Sequence, residues 1–465
     1  LLSAKLGGND ISGKLSMSNF DDPTVKGSLA AVMNLNEVKD FYPLEQGTEL
    51  KGMMKANVAL EGKAKVPASM KANGNVDFKD VTVKTASSPR PLKNLNGTIT
   101  FNNDVIGSKQ LSMNIGESDL NLGFSMKNYL GMVMQDAAKS GKPNATIKLT
   151  SRQLRTADLM SESSAQPAAS NKSEQKKEGG LLPGFDIDAN VSIGTLVTEK
   201  FDFNNVKGGV NVSKGVATLK NLTMNAFEGT IATKGTLDLR DEKKRPFDLD
   251  LNITKVESNS MLSKFSSIGK NLFGKFTMKT KLQGDLNDTL GLNTQSLLGE
   301  GSAEIFDGKL LGFPLTSKLA DVTGVTSLRE VNFKNWTNAF SIANGKINIK
   351  DLKVNAGTTD FLVGGSQGLD GSMDYSLNVK LPESVSDQLK LPGAASQLAQ
   401  FFKDKDGRFN LNFIVSGMAT SPSLKLDTHA QEEMAKQAVE KKKNELLDAG
   451  KKKAEDALKN LFKRP

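Results

Sequence analysis

Residues 333–382 read FKNWTNAFSIANGKINIKDLKVNAGTTDFLVGGSQGLDGSMDYSLNVKLP, and apolar side chains recur there at every second position. Phe340 and Ile342 are followed by Ile347 and Ile349, Leu352 and Val354, Phe361 and Val363, and Leu377 and Val379. Such alternation puts one set of side chains on each face of a strand, so each burst predicts a strand with one dry and one wet face. Asn344-Gly345, Asn355-Ala356-Gly357, Gly364-Gly365 and Asp370-Gly371 punctuate the bursts. Asn-Gly and Asp-Gly accept the positive φ of tight hairpin turns, so the pattern predicts a ladder of antiparallel hairpins with turns at these four places.

The ladder repeats. NLTMNAFEGTIATKGTLDL, residues 221–239, aligns without a gap on DLKVNAGTTDFLVGGSQGL, residues 351–369, matching Leu222 to Leu352, Met224 to Val354, Ile231 to Phe361 and Gly235 to Gly365. LKNLNGTITF from Leu92 parallels FNNVKGGVNV from Phe203. A third phrase is a strand bounded by glycines ten apart: Gly52 and Gly62, Gly274 and Gly284, Gly407 and Gly417. Units that each leave an apolar face uncovered build elongated, stacked architectures.

Composition agrees. At 465 residues, 37% hydrophobic, with one Trp and three Tyr, the chain is poor in material for a thick core but sufficient for one curled sheet. The net charge of +9 comes from lysines scattered singly along strands, where they solubilise the sheet and protect its edges. Without interleaved aromatics this is not a nucleic-acid surface, though it would attract anionic lipid headgroups weakly. The absence of cysteine excludes disulfides, thiol catalysis and cysteine-ligated metals. No apolar run approaches the roughly 18 residues that span a bilayer.

Four parts follow: residues 1–155, the first part of the sheet; 156–184, a Ser-, Ala-, Lys- and Glu-rich linker or excursion, disordered by composition; 185–427, the second part; and 428–465, a charged amphipathic helix. Residues 261–272, 314–328 and 394–403 read as short helices able to cover an end of the sheet, and 129–139 as another. In the tail, Leu458, Leu461 and Phe462 are the candidates for contact with a membrane.

Two enzyme-like strings fail on context. Gly364-Gly365-Ser366-Gln367-Gly368 has nucleophile-elbow spacing, but a strand follows where a helix is required, and the one His, His429, opens the tail. It reads as a turn. Residues 269–275 have phosphate-loop spacing, but Phe276 stands where Ser or Thr would hold Mg²⁺. Acidic residues sit in turns such as Asp307-Gly308 without clustering around His, so no metal, cofactor or catalytic residue is expected.

The order F-x-x-W, F-x-I-x-N-G-x-I, D-L-x-V, G-G, L-D from Phe333 to Asp370 resembles the C-terminal region of the AsmA-like family of Gram-negative envelope proteins. LLGEGSAEIFDGKLLGFPLTSKLADVTG, residues 297–324, and the closing FNLNFIVSGMATSPSLKL, residues 409–426, fit the same family pattern. The resemblance covers about the last half of the chain; earlier the likeness is one of repeats. It implies kinship with bridge-like lipid transfer proteins, in which long β-sheets curl into a groove with an apolar floor.

The expected fold is therefore mostly β: an elongated antiparallel sheet of repeated hairpins, about 25 strands at ~4.8 Å spacing, curled into an open apolar groove. A few short helices and the charged C-terminal helix complete it. Phe340, Ile342, Ile347, Ile349, Leu352, Val354, Phe361 and Val363 share one phase of the pleat and are the candidate groove floor. The resemblance implies a non-enzymatic periplasmic protein that carries or regulates phospholipid transfer between inner and outer membranes, alongside other envelope proteins. It further implies anchorage by an N-terminal inner-membrane helix absent from this sequence. Two other readings stay open on the residues alone: a structural or adhesive surface β-repeat, and a carbohydrate-binding β-solenoid, the latter opposed by the scarcity of Trp and Tyr.

Overall fold

A computed structural model describes residues 2–66, 69–85, 88–130, 141–159, 185–199, 201–241, 244–264, 268–287, 291–385 and 387–461. Among these, twenty-two strands belong to a single sheet that does not close into a barrel. The chain divides into two compact units, Leu1–Asn252 with Leu282–Asn293, and Ile253–Lys281 with Thr294–Pro465.

Unit 1 begins with β1 (Leu2–Leu6), β2 (Asn9–Ser18), β3 (Thr24–Asn34), β4 (Glu49–Lys63), β5 (Lys71–Thr85) and β6 (Ser88–Phe101). It continues through β7 (Val105–Ile115), β8 (Ser118–Lys127), β9 (Asn144–Arg155), β10 (Asp186–Val197), β11 (Asp202–Ser213), β12 (Val216–Ala226) and β13 (Gly229–Asp238). From β1 to β13 each strand pairs with the next in the chain, antiparallel except for β9 and β10. Those two run parallel, Asn144 opposite Asp186 through Arg155 opposite Val197. A parallel pair needs a long crossover where a hairpin needs two residues. The polar segment between them supplies it, starting with the short helix α1 (Thr156–Leu159). The rest of that segment, 160–184, and most of the expected helix at 129–139 lie outside the described residues.

β14 (Arg245–Glu257) and β15 (Leu272–Leu286) supply residues to both units. Unit 2 then holds β16 (Leu298–Leu311), β17 (Glu330–Ala343), β18 (Lys346–Ala356), β19 (Thr359–Gly368), β20 (Ser372–Leu381), β21 (Phe409–Met418) and β22 (Ser421–Asp427), paired antiparallel in chain order. Two of the expected helices are shorter than their sequence windows. Residues 261–272 give α2 (Ser258–Leu262) and a 3-10 turn (Ile268–Asn271), after which Leu272 already starts β15. Residues 314–328 give α3 (Pro314–Thr323), which starts on Pro314 and ends at left-handed Gly324, then a 3-10 turn (Thr326–Arg329). The window at 394–403 becomes a 3-10 helix, Gly393–Phe402, and the tail is α4 (His429–Leu461).

One of the four punctuation marks in the hairpin ladder is not a turn. Asn344-Gly345 and Asp370-Gly371 do fall between strands, and Gly357 follows β18. Gly364-Gly365, however, lies inside β19, and with it the whole Gly364-to-Gly368 string read as a turn; Asp307-Gly308 likewise lies inside β16. Gly407 precedes β21, so only two of the three ten-spaced glycine pairs are contained in one strand, in β4 and β15.

The reason is a recurrent bulge. In β18 Ile349 pairs with Gly365 and Leu352 with Val363, so two residues on one strand, Lys350 and Asp351, stand against one on the other, Gly364. Asp351 sits in the excess at φ 54° and Gly365 faces the bulge at φ 137°. Leu219 and Leu222 of β12 pair with Gly235 and Thr233 in the same way, with Asn221 at φ 45° and Gly235 at φ 144°. Thus the aligned repeats share register as well as sequence. The second alignment behaves alike: shifts fall between Lys93 and Asn96 and between Asn204 and Lys207, with Asn94 at φ 53° and Asn205 at φ 52°. Asn and Asp are the non-glycine residues most tolerant of left-handed backbone, which is why they fill these positions. Each bulge bends its strand and increases local twist.

Candidate functional site

In unit 2 the register decides which side chains share a face. Phe340 and Ile342 stand opposite Ile349 and Ile347; Leu352 and Val354 stand opposite Val363 and Phe361. Gly365 and Val363 are two apart on β19, so Ile349 and Leu352, their partners, face the same side. All eight candidate floor residues therefore lie on one face. They do not keep the one phase of the pleat that their spacing predicts: strict alternation would put Ile349 and Leu352 on opposite faces, and the bulge at Asp351 cancels the difference.

Phe361 is buried and the other seven are half-buried. The face continues through Tyr375, Leu377 and Val379 of β20 to Leu411, Phe413 and Val415 of β21. There cover is complete, with Val379, Leu411 and Val415 at 0% exposure. The cover is α3, which leaves the sheet after β16 yet reaches β22, together with the 3-10 helix Gly393–Phe402 on β21. Leu319, Val325, Leu328 and Phe402 bury themselves in it. Within this unit the apolar face is thus sealed by the chain's own helices at its last strands and left half-open over β17 to β19.

Polarity separates the two faces. Behind the apolar floor, Lys346, Asn348, Lys350, Lys353 and Asn355 of β18 are exposed, and the Asn378 amide donates to Asn410 and Asn412 Oδ1, both at 2.6 Å. On the floor side burial pushes the Tyr375 phenol up and keeps it neutral. Two floor atoms lack hydrogen-bond partners, Asn338 Nδ2 and Gln367 Oε1.

Unit 1 carries a second such face, which the candidate residues did not include. Ile11, Leu15 and Met17 stand opposite Ala31, Gly27 and Val25; Leu29 and Met33 stand opposite Val58 and Met54; Met54 stands opposite Phe78. Leu15, Met17 and Leu29 are exposed by 64%, 48% and 46%. A 3-10 helix, Leu35–Asp40, covers part of this face by burying Leu35 and Val38 against Val81, Met54 and Phe78. Farther on, Leu120, Leu154, Ile193, Val206 and Met224 form a continuous cluster across β8 to β12. The alternating KLSMS and VKGSLAAVMNL strings were the available signal for the open part.

Among the described residues no group of three or more His, Asp or Glu is placed to hold a metal, and no helix is long and apolar enough to cross a membrane. Leu458 and Leu461 lie on α4 beyond the described side chains, and Phe462 lies outside the described residues. No protein-family model, curated protein or solved structure matches the chain.

Proposed function

We propose that the apolar sheet faces hold lipid acyl chains, and that the protein is a non-enzymatic carrier or regulator of phospholipid transfer between the inner and outer membranes of a Gram-negative envelope. The likeness of residues 297–426 to the AsmA-like family is part of that proposal. One observation carries it: Phe340, Ile342, Ile347, Ile349, Leu352, Val354 and Val363 share a face and stay half-buried, while the same face is fully covered two strands later.

A face of that kind in water calls for an apolar occupant. Acyl chains fit because they need no directional contact: at ~0.8 kcal/mol per buried methylene, about ten methylenes contribute roughly 8 kcal/mol. The polar back of the sheet keeps such a carrier dispersed. Extraction of the purified chain followed by lipid mass spectrometry tests the reading; phospholipid at stoichiometric amounts supports it, and a lipid-free chain that takes up none from vesicles overturns it.

A further inference from the structure

The seal over the last strands has the construction of a movable part. Residues 382–408 connect β20 to β21, where the neighbouring hairpins turn in two or three residues. Their central element is a 3-10 helix ten residues long, Gly393–Phe402. Such helices have poorer hydrogen-bond geometry than α-helices and rarely run past four residues. Its N-cap, Pro392, makes no side-chain capping bond. Left-handed glycines stand at its first residue and five residues past its end: Gly393 at φ 54°, with open space where a Cβ would stand, and Gly407 at φ 74°.

Inside, Ala395 at 5% and Phe402 at 1% exposure are its buried apolar side chains, and the segment touches both β21 and the C-terminal helix α4. Its polar fastenings lie at the margin. Arg408 Nη2 donates to Thr358 O at 3.1 Å and Lys380 O at 3.0 Å, and Arg408 Nη1 pairs with Asp360 at 2.7 Å. Lys403 pairs with Glu383 at 3.4 Å, and the Lys390 N–H donates to Thr323 O. Apolar side chains held over an apolar floor can be exchanged for acyl chains at little cost, because both present methylene surface to the same partners.

We infer that residues 392–407 form a hinged stopper, latched by Arg408, which acyl chains advancing along the floor displace from β20 and β21. The inference rests on the lipid reading of this face and adds where the face opens. Displacement transfers Val379, Leu411 and Phe413 from protein cover to lipid cover and lengthens the continuous floor by two strands.

The chain has no cysteine, so one introduced thiol reports alone. Ala395→Cys changes the seal least, and Phe402→Cys is the second position should the first fold poorly. Ala145→Cys, buried in β9 of unit 1, serves as control. Each full-length variant is incubated with a thiol-reactive dye, with and without vesicles of phosphatidylethanolamine and phosphatidylglycerol. A photo-crosslinker at Val363 reports lipid on the floor in parallel. The stopper predicts labelling at position 395 or 402 roughly ten-fold faster with vesicles, since labelling follows the open fraction, and unchanged labelling at 145. Arg408→Gln accelerates it without lipid. Lipid crosslinked at Val363 with labelling unchanged makes the seal a fixed wall and overturns the stopper alone. No lipid at Val363 overturns the underlying reading and the stopper together. Faster labelling at 145 as well indicates general loosening and also contradicts the stopper.

Discussion

Ile349 pairs with Gly365 and Leu352 with Val363, so two leucine-sized side chains three positions apart in one strand face the same side. Asp351, at φ 54°, absorbs the extra residue. The same apolar-x-Asn/Asp-apolar spacing occurs at Phe78 and Val81 around Asp80, Leu92 and Leu95 around Asn94, Phe203 and Val206 around Asn205, and Leu219 and Leu222 around Asn221. Each of those Asn or Asp residues has φ between 45° and 53°. The device keeps an apolar floor continuous while the strands bend, and it makes specific positions intolerant of change.

Gly365 is one of them. A Cβ there would lie 2.2 Å from Asp374 O, at φ 137°. Gly365→Ala should therefore cost about 2–4 kcal/mol in urea unfolding, through backbone strain and displacement of β20. Gly357→Ala, also at positive φ but with nothing within 4 Å, should cost only about 1 kcal/mol. Equal losses would mean that strand contact at Gly365 plays no part.

Asp351 tests the bulge from the other side. Asp351→Asn should leave stability within about 0.5 kcal/mol, since Asn serves at position 221, whereas Asp351→Val should lose roughly 1–3 kcal/mol because a β-branched residue resists left-handed backbone. Chemical denaturation of both variants gives the comparison. A harmless Val would remove the conformational argument.

How much of this could be read beforehand follows from the range of each interaction. Alternation and the Asn344-Gly345 and Asp370-Gly371 turns are local, and they place β17 to β20 correctly. Gly364-Gly365 looked like a turn because glycine pairs serve both turns and bulges; the distinction depends on Ile349, fifteen residues earlier on the partner strand. The spacing of three between apolar residues, with Asn or Asp in the third place, was visible but reads as a broken phase unless bulges are allowed. That α3 would reach β22 had no local signature at all, since the contact joins residues about a hundred apart in the chain. The open face in β2 and β3 was legible as alternation, but alternation does not tell which dry face stays uncovered.

Acid should weaken unit 1 through Asp119. Burial alone would raise its pKa, but hydrogen bonds from the Gln153 and Arg152 backbone N–H groups, at 2.9 and 3.1 Å, and the Arg152 guanidinium hold it below the usual carboxylate range. The folded pKa being lower than the unfolded one, this stabilisation is complete above the unfolded value and disappears as pH falls through the folded one. Asp119→Asn should reduce stability near neutral pH and flatten the acid limb of a stability-versus-pH series. An unchanged acid limb would assign that limb to other carboxylates.

Charge on the floor should stop lipid occupancy. Ile349→Asp combined with Val363→Asp places two carboxylates on adjacent strands of the apolar face, where an acyl chain would have to desolvate them. Lipid recovered per chain should fall at least several-fold. Lys350→Asp with Leu362→Asp, on the opposite face, should leave it unchanged. Equal loss from both pairs would point to general destabilisation.

The claim that acyl chains lie on this floor is tested most directly by photo-crosslinking in cells from positions 349 and 363, followed by mass spectrometry of the adducts. Phospholipid adducts from both positions, and none from position 350 on the polar face, are the predicted result. Adducts to protein only, with no lipid recovered from the unsubstituted chain, would contradict lipid carriage and favour a structural role for the sheet.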